Sequence, residues 1–254
     1  MNLFFRKIGE GKPLVILHGV FGSSDNLYTV SKTLADHNLA VYTLDARNHG
    51  QSPHDAEFNY EVMAGDLVEF LDNEGIQNPI VLGHSMGGKT VMQFAQLSDN
   101  FEKLIVVDIA PRFYPTHHQH IIDGLGAIPI NEIQSRKEAE DIFAKYVDDP
   151  GERQFILKNI YRTDDGNFAW RINVSVITEE IYQVGAEIES ERIVEKPVLF
   201  IRGSESSYVT DEDFTEIKKR YPAARLETVE GANHWVHATK PKEFVEAVLN
   251  FINE

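Results

Sequence analysis

No cysteine occurs among the 254 residues. Its absence excludes disulfides, thiolate-held zinc or iron–sulfur clusters, and a cysteine nucleophile. Basic charge is also scarce: 24 lysines and arginines stand against 40 acidic residues, a formal net charge of −16. A chain of that sign repels phosphate backbones, so no nucleic-acid partner is expected. Long apolar runs are missing too, and nothing approaches the roughly 18–20 residues of a membrane span. The opening Met1 to Lys7 has an apolar run too short for a signal-peptide core, and its charges follow that run. A soluble, cytoplasmic protein is expected.

What is present is globular in character. Hydrophobic residues make up 42% and charged residues 25%, enough for a well-buried core. Short β-branched runs alternate with helical periodicity. The runs are Pro13 to Leu17, Leu39 to Leu44, Pro79 to Leu82, Leu104 to Val107 and Pro197 to Ile201, with a shorter strand at Arg225 to Val229. Continuous apolar runs of this length suit parallel strands buried on both faces. Between them, Tyr60 to Leu71 carries apolar residues on one helical face, with Asn59 placed as its N-cap. The last helix opens at Pro241, where a missing N–H costs little. The pattern predicts a doubly wound α/β fold.

The alternation stops between Arg112 and Glu195. Helical patterns occupy Ser135 to Val147, Gly151 to Tyr161 and Thr178 to Glu187, and the segment holds sixteen acidic against nine basic residues. The expected organisation is therefore a core of residues 1–111 and 196–254, interrupted by a helical lid at 112–195.

Three motifs carry chemistry. Gly83-His84-Ser85-Met86-Gly87 follows a strand and precedes the helical pattern Lys89 to Leu97, the setting of a G-x-S-x-G nucleophile elbow. Glycines there permit a sharp turn that exposes the Ser85 hydroxyl, and the helix start aims free N–H groups at developing negative charge. His18-Gly19-Val20-Phe21-Gly22 follows the first buried run. A serine nucleophile needs two backbone donors for its oxyanion. The amides of Met86 and Val20 are expected to supply them, Val20 being preferred to Phe21, while His18 shapes the loop. Gly231-Ala232-Asn233-His234-Trp235 comes last. Histidine exchanges protons near neutral pH, so His234 is the expected base, with His237 as its neighbour. His84 is expected to point away from Ser85 and pack. His117, His118 and His120 are read as solvated residues at the lid hinge, because no metal-ligand spacing accompanies them. Phe21, Tyr208 and Trp235 flank the motifs and are candidates to line a substrate pocket. No metal or organic cofactor is expected.

HGVFG, Asp45 to Gly50, GHSMGG and GANHW stand in the order and spacing of the α/β-hydrolase superfamily. With RNHG, GHSMGGK, DIAP and HWVH, the chain most resembles the esterase subfamily typified by YbfF and the ABHD11-type hydrolases. The resemblance implies a mostly parallel sheet with helices on both faces and a lid after the sixth strand. Many members place the triad acid about three residues past the glycine of the strand that follows the lid. Here that position holds Ser206, with Glu205 beside it. Asp211 and Asp213 read as first-turn acids of a helix capped by Thr210. Asp108, at the end of the Leu104 to Val107 run, keeps the order Ser85, Asp108, His234. The resemblance points to the same aspartate as the acid and implies that Ser206 joins its network.

The implied activity is a serine carboxylesterase acting on small-molecule acyl esters of short to medium chain, with acyl-CoA thioesters as a variant. Carbon–carbon bond hydrolases and a menaquinone-pathway lyase share the pattern. They hold carboxylate substrates with cations, for which Arg47, Arg112 and Arg171 are candidates. A non-catalytic scaffold is the remote alternative. An acidic lid repels polyanionic CoA unless Arg112, Arg136, Lys137 or Arg171 form a basic patch, which favours neutral esters.

Overall fold

The computed structural model describes residues 1–254. The chain starts with β1 (Phe5–Ile8), β2 (Lys12–Leu17), α1 (Ser24–Ala35), β3 (Leu39–Leu44), α2 (Tyr60–Asn73), β4 (Ile80–His84), α3 (Met86–Leu97) and β5 (Lys103–Val107). An excursion follows: α4 (Gln119–Ala127), α5 (Arg136–Phe143), α6 (Pro150–Leu157), β6 (Ile160–Arg162), β7 (Phe168–Trp170), α7 (Val174–Glu179) and α8 (Ile181–Val184). The chain then completes its main layer with β8 (Val198–Gly203), α9 (Asp211–Arg220), β9 (Ala224–Val229), α10 (Val236–Thr239) and α11 (Pro241–Asn253).

Seven strands form one sheet in the order β1-β3-β2-β4-β5-β8-β9. Every pairing is parallel except that of β1 with β3. The period of two along each strand sorts side chains to opposite faces. Val15 and Val106 join the larger apolar cluster with Leu67 and Phe70 of α2 and Val91 and Phe94 of α3. Their neighbours Ile16 and Ile105 join the smaller cluster with Leu27 and Leu34 of α1 and Phe244 and Val248 of α11. Both faces are thus covered, which is why these strands read as continuous apolar runs. Phe200, fully buried on β8, contributes on the order of 2 kcal/mol through its burial.

The helix boundaries follow local chemistry. The Asn59 side chain accepts the Val62 amide at 3.0 Å and starts α2. Thr210 and Asp213 cap α9 reciprocally, since Thr210 Oγ1 accepts the Asp213 amide and Asp213 accepts the Thr210 amide. Ser135 caps α5 one way, its hydroxyl accepting the Glu138 amide at 3.1 Å.

Several expectations are corrected. The excursion follows the fifth strand in chain order, not the sixth, because only five sheet strands precede it. It is not wholly helical: β6 and β7 form a separate antiparallel hairpin. The helix expected to reach Tyr161 stops at Leu157, since Asn159 turns its amide to the carbonyls of Phe21 and Ile156 and Ile160 begins the hairpin. No helix is long and apolar enough to cross a membrane.

Candidate active site

Ser85 sits between the end of β4 and the start of α3 with φ 53° and ψ −116°, a strained turn for a non-glycine residue. The glycines around it are demanded by contact. A Cβ at Gly83 would lie 2.1 Å from the Gly87 carbonyl oxygen, and one at Gly87 would lie 2.5 Å from that of Leu17. The Ser85 amide donates to the Val107 carbonyl at 3.0 Å, so the end of β5 holds the turn in place.

Sheet register brings the other groups to the same edge. His84 pairs with Val107, and Val107 with Ile201, so the carboxyl ends of β4, β5 and β8 lie side by side. Asp108 follows β5 immediately, is 0% exposed and has φ 53°. Its Oδ2 accepts from His234 Nδ1 at 2.8 Å and from the Ser206 hydroxyl, while Oδ1 accepts the Gly203 amide at 3.1 Å. With Nδ1 donating, His234 Nε2 is left as an acceptor facing Ser85 Oγ at 3.1 Å. The arrangement can remove the Ser85 proton and stabilise the resulting imidazolium. Glu205 is exposed, and the His234 Nδ1 that it would have to meet is bonded to Asp108. Asp211 and Asp213 are paired with Arg202 and Arg112.

The amides of Val20 and Met86 have no partner within the fold. The Phe21 amide does: it donates to His49 Nε2 at 3.2 Å. His49 Nδ1 in turn donates to the Arg47 carbonyl at 2.8 Å, and burial pushes its pKa down to about 3. A neutral His49 therefore occupies Phe21 and leaves Val20 as the free donor. The sequence motif RNHG contained this histidine, but no local pattern announced its target 28 positions away. His18 shapes the same loop, donating from Nδ1 to Gly19 at 2.7 Å and accepting the Ala46 amide at Nε2.

Beside Ser85 lies a cavity of about 220 Å³ whose lining includes Phe21, Tyr208 and Trp235, the three expected residues. Tyr208 stacks on the His234 ring at 4.1 Å between centroids and 22° between planes. Two histidine expectations are corrected. His84 does not merely pack: it lines the cavity, and its Nε2 donates to the His234 carbonyl at 2.9 Å, tethering His234 through its backbone. The histidines at 117–120 are not simply solvated. His117 Nε2 meets the Tyr208 hydroxyl at 2.5 Å, and His118 lines the cavity, its pKa pushed down to about 3 by burial. His120 faces Glu152 at 3.5 Å. No group of three or more His, Asp or Glu side chains is disposed to hold a metal ion.

The three arginines considered for a carboxylate substrate are elsewhere. Arg47 is buried in a two-point pair with Asp66 at 2.7 and 2.9 Å. Arg112 pairs with Asp213 and lies over Tyr114, and Arg171 lies over Tyr161. Nor do Arg136 and Lys137 join a basic patch, since they bind the Ile160 carbonyl and Asp141. Lys89, in GHSMGGK, has a role that the motif does not announce. Fully buried, its ammonium reaches the carbonyls of Arg112 at 2.8 Å, Gly185 at 3.1 Å and Ala186. It ties the helix behind Ser85 to both ends of the excursion.

The buried neutral histidines make stability acid-sensitive. Burial lowers His49 to about 3 and His237 to about 4. Both have folded pKa values below the unfolded value near 6.5, so the unfolded chain binds more protons below that pH. Stability is complete above about pH 6.5 and falls as pH drops towards 4, by about 1 kcal/mol for each histidine at pH 5.5. Urea unfolding at pH 7.5 and 5.5 measures this; equal midpoints would contradict it.

Comparison with known proteins places this geometry. A family model described as the alpha/beta hydrolase fold matches residues 12–128. The chain is 38% identical over 250 residues to the Escherichia coli esterase YbfF, covering 96% of this chain and 94% of that protein. It is 36% identical over 253 residues to the Danio rerio sn-1-specific diacylglycerol lipase ABHD11, covering 96% and 79%. A solved marine microorganism esterase superposes with a TM-score of 0.95 at 44% identity, covering 98% of each chain. With the strained serine at the end of β4 and the histidine after β9, these likenesses show that the chain belongs to the α/β-hydrolase family.

Proposed function

We propose that this protein is a serine carboxylesterase that hydrolyses neutral small-molecule esters through an acyl-enzyme. The observation that carries the reading is the continuous line Asp108–His234–Ser85, with two unpartnered amides beside the serine. Ser85 attacks the ester carbonyl as His234 takes its proton, and Asp108 holds the imidazolium. The amides of Val20 and Met86 receive the oxyanion. His234 returns the proton to the leaving alcohol, and water then repeats the sequence on the acyl-Ser85. Ser206 and Gly203 act as positioning groups for Asp108, and Tyr208 for the imidazole. Residues 112–195 are proposed to serve as the lid, and the cavity of about 220 Å³ beside Ser85 supports short to medium acyl chains. The expected cytoplasmic location rests on the sequence alone.

Carbon–carbon bond hydrolysis and the lyase reading are disfavoured because no lysine or arginine lines the cavity to hold a substrate carboxylate. The same lack disfavours CoA thioesters, whose phosphates meet an acidic surface. A scaffold role is disfavoured because nucleophile, base and acid are all within hydrogen-bonding reach. Stopped-flow mixing with p-nitrophenyl butyrate should give a p-nitrophenol burst of about one equivalent per chain. Absence of any turnover across acetate, butyrate and octanoate esters would sink the reading. A low KM for acyl-CoA that weakens with salt would overturn the preference for neutral esters.

A further inference from the structure

The charge of the cavity carries its own consequence. Of the fifteen residues that line it, Glu152 alone is an acid, and no lysine or arginine is present to offset it. Glu152 stands in α6, and its side chain is 22% exposed. Its carboxylate makes no hydrogen bond to the rest of the chain, and its one ionisable partner is His120, at 3.5 Å. Arg153, next in sequence, turns away to the carbonyls of Val147 and Asp148. Aromatic rings stand nearby in the same lining: Phe155 from the same helix meets Trp235 at 6.0 Å between ring centroids, and Trp235 meets His234 at 6.0 Å.

A partly desolvated carboxylate among aromatic faces attracts a soft cation and repels an anion. Strongly hydrated metal cations do not suit such a site, because aromatic rings replace few of their oxygen ligands. An alkylated ammonium does, since its methyl groups fill apolar space while its charge meets the ring faces and the carboxylate. On the ester-hydrolase reading His234 reprotonates the leaving alcohol, and the Trp235 ring stands 6.0 Å from the His234 ring, on that side of the cavity. We infer that Glu152, with Phe155 and Trp235, forms a subsite for a cationic ammonium carried on the alcohol part of the ester substrate. This inference rests on the ester-hydrolase reading and names the substrate class for it.

Three butyrate esters of matched size test it: butyrylcholine, the uncharged isostere 3,3-dimethylbutyl butyrate, and anionic 3-carboxypropyl butyrate. The expected kcat/KM order is cation, neutral, anion, with roughly tenfold between the first two. Glu152→Gln should bring the cation-to-neutral ratio close to unity. Asp164→Asn, an equal charge change at an exposed position of the β6–β7 turn, should leave that ratio as in the parent. A binding arm needs no turnover: phenyltrimethylammonium should quench tryptophan fluorescence saturably, with a Kd raised about tenfold in Glu152→Gln. A ratio near unity in the parent, or equal ratios in the two variants, overturns the subsite. So does quenching indifferent to Glu152. If no ester is hydrolysed while quenching still depends on Glu152, the esterase reading fails and the cation subsite stands.

Discussion

Ser85→Ala should lower kcat for p-nitrophenyl butyrate about 10⁶-fold, as expected when a serine nucleophile is removed from an intact triad. The size follows from what remains. Alanine keeps the Cβ, so the backbone at φ 53° and the contacts of Gly83 and Gly87 are unchanged. The fold should persist, with a melting temperature near that of the parent. His234 would keep its bond to Asp108 but have no hydroxyl to deprotonate. Residual turnover of about 10³-fold over water should survive from the Val20 and Met86 donors and substrate positioning. Steady-state kinetics with circular dichroism check both parts. Turnover within about tenfold of the parent, in a folded variant, would mean that Ser85 is not the nucleophile.

Asp108→Asn should cost about 10⁴-fold in kcat, the loss known for the equivalent change in serine proteases. Asp108 Oδ2 accepts from two donors, His234 Nδ1 and Ser206, and Oδ1 accepts the Gly203 amide. An asparagine that keeps the Gly203 bond turns its NH₂ towards His234. That donor forces the proton onto His234 Nε2, which then no longer accepts from Ser85. The neutral amide also provides no charge for the imidazolium. Ser206→Ala removes one of the donors to Asp108 and should cost less. Glu205→Gln, at an exposed side chain, should leave activity close to the parent's. A crippling Glu205→Gln with a mild Asp108→Asn would reassign the acid.

Much of this site was legible because its chemistry depends on local rules. Strands β2, β3, β4, β5 and β8 are buried on both faces and therefore appear as unbroken apolar runs. β1 escaped because it is an edge strand, half-exposed, reading Phe-Arg-Lys-Ile. The hairpin of β6 and β7 escaped because its three-residue strands carry almost no periodicity. Ser85 and its glycines were readable since a strained strand-to-helix turn admits few residue types. Glu152 was not, because an acidic residue in the first turn of α6 is also what any helix favours at that place.

By itself the sequence determined the α/β layers, the serine at the elbow, the late histidine and the acidic balance of the chain. Each of these is set by residue type at short spacing. Only the tertiary structure decided the rest. Register between β4, β5 and β8 brought Asp108 and Ser206 to one histidine. His49 left the Val20 amide free by occupying that of Phe21. The arginines were drawn into pairs outside the cavity, and one carboxylate remained inside it. Those outcomes depend on contacts between residues far apart in the chain, where hydrogen bonds and charges are assigned by which surfaces meet. No spacing along the sequence encodes that choice.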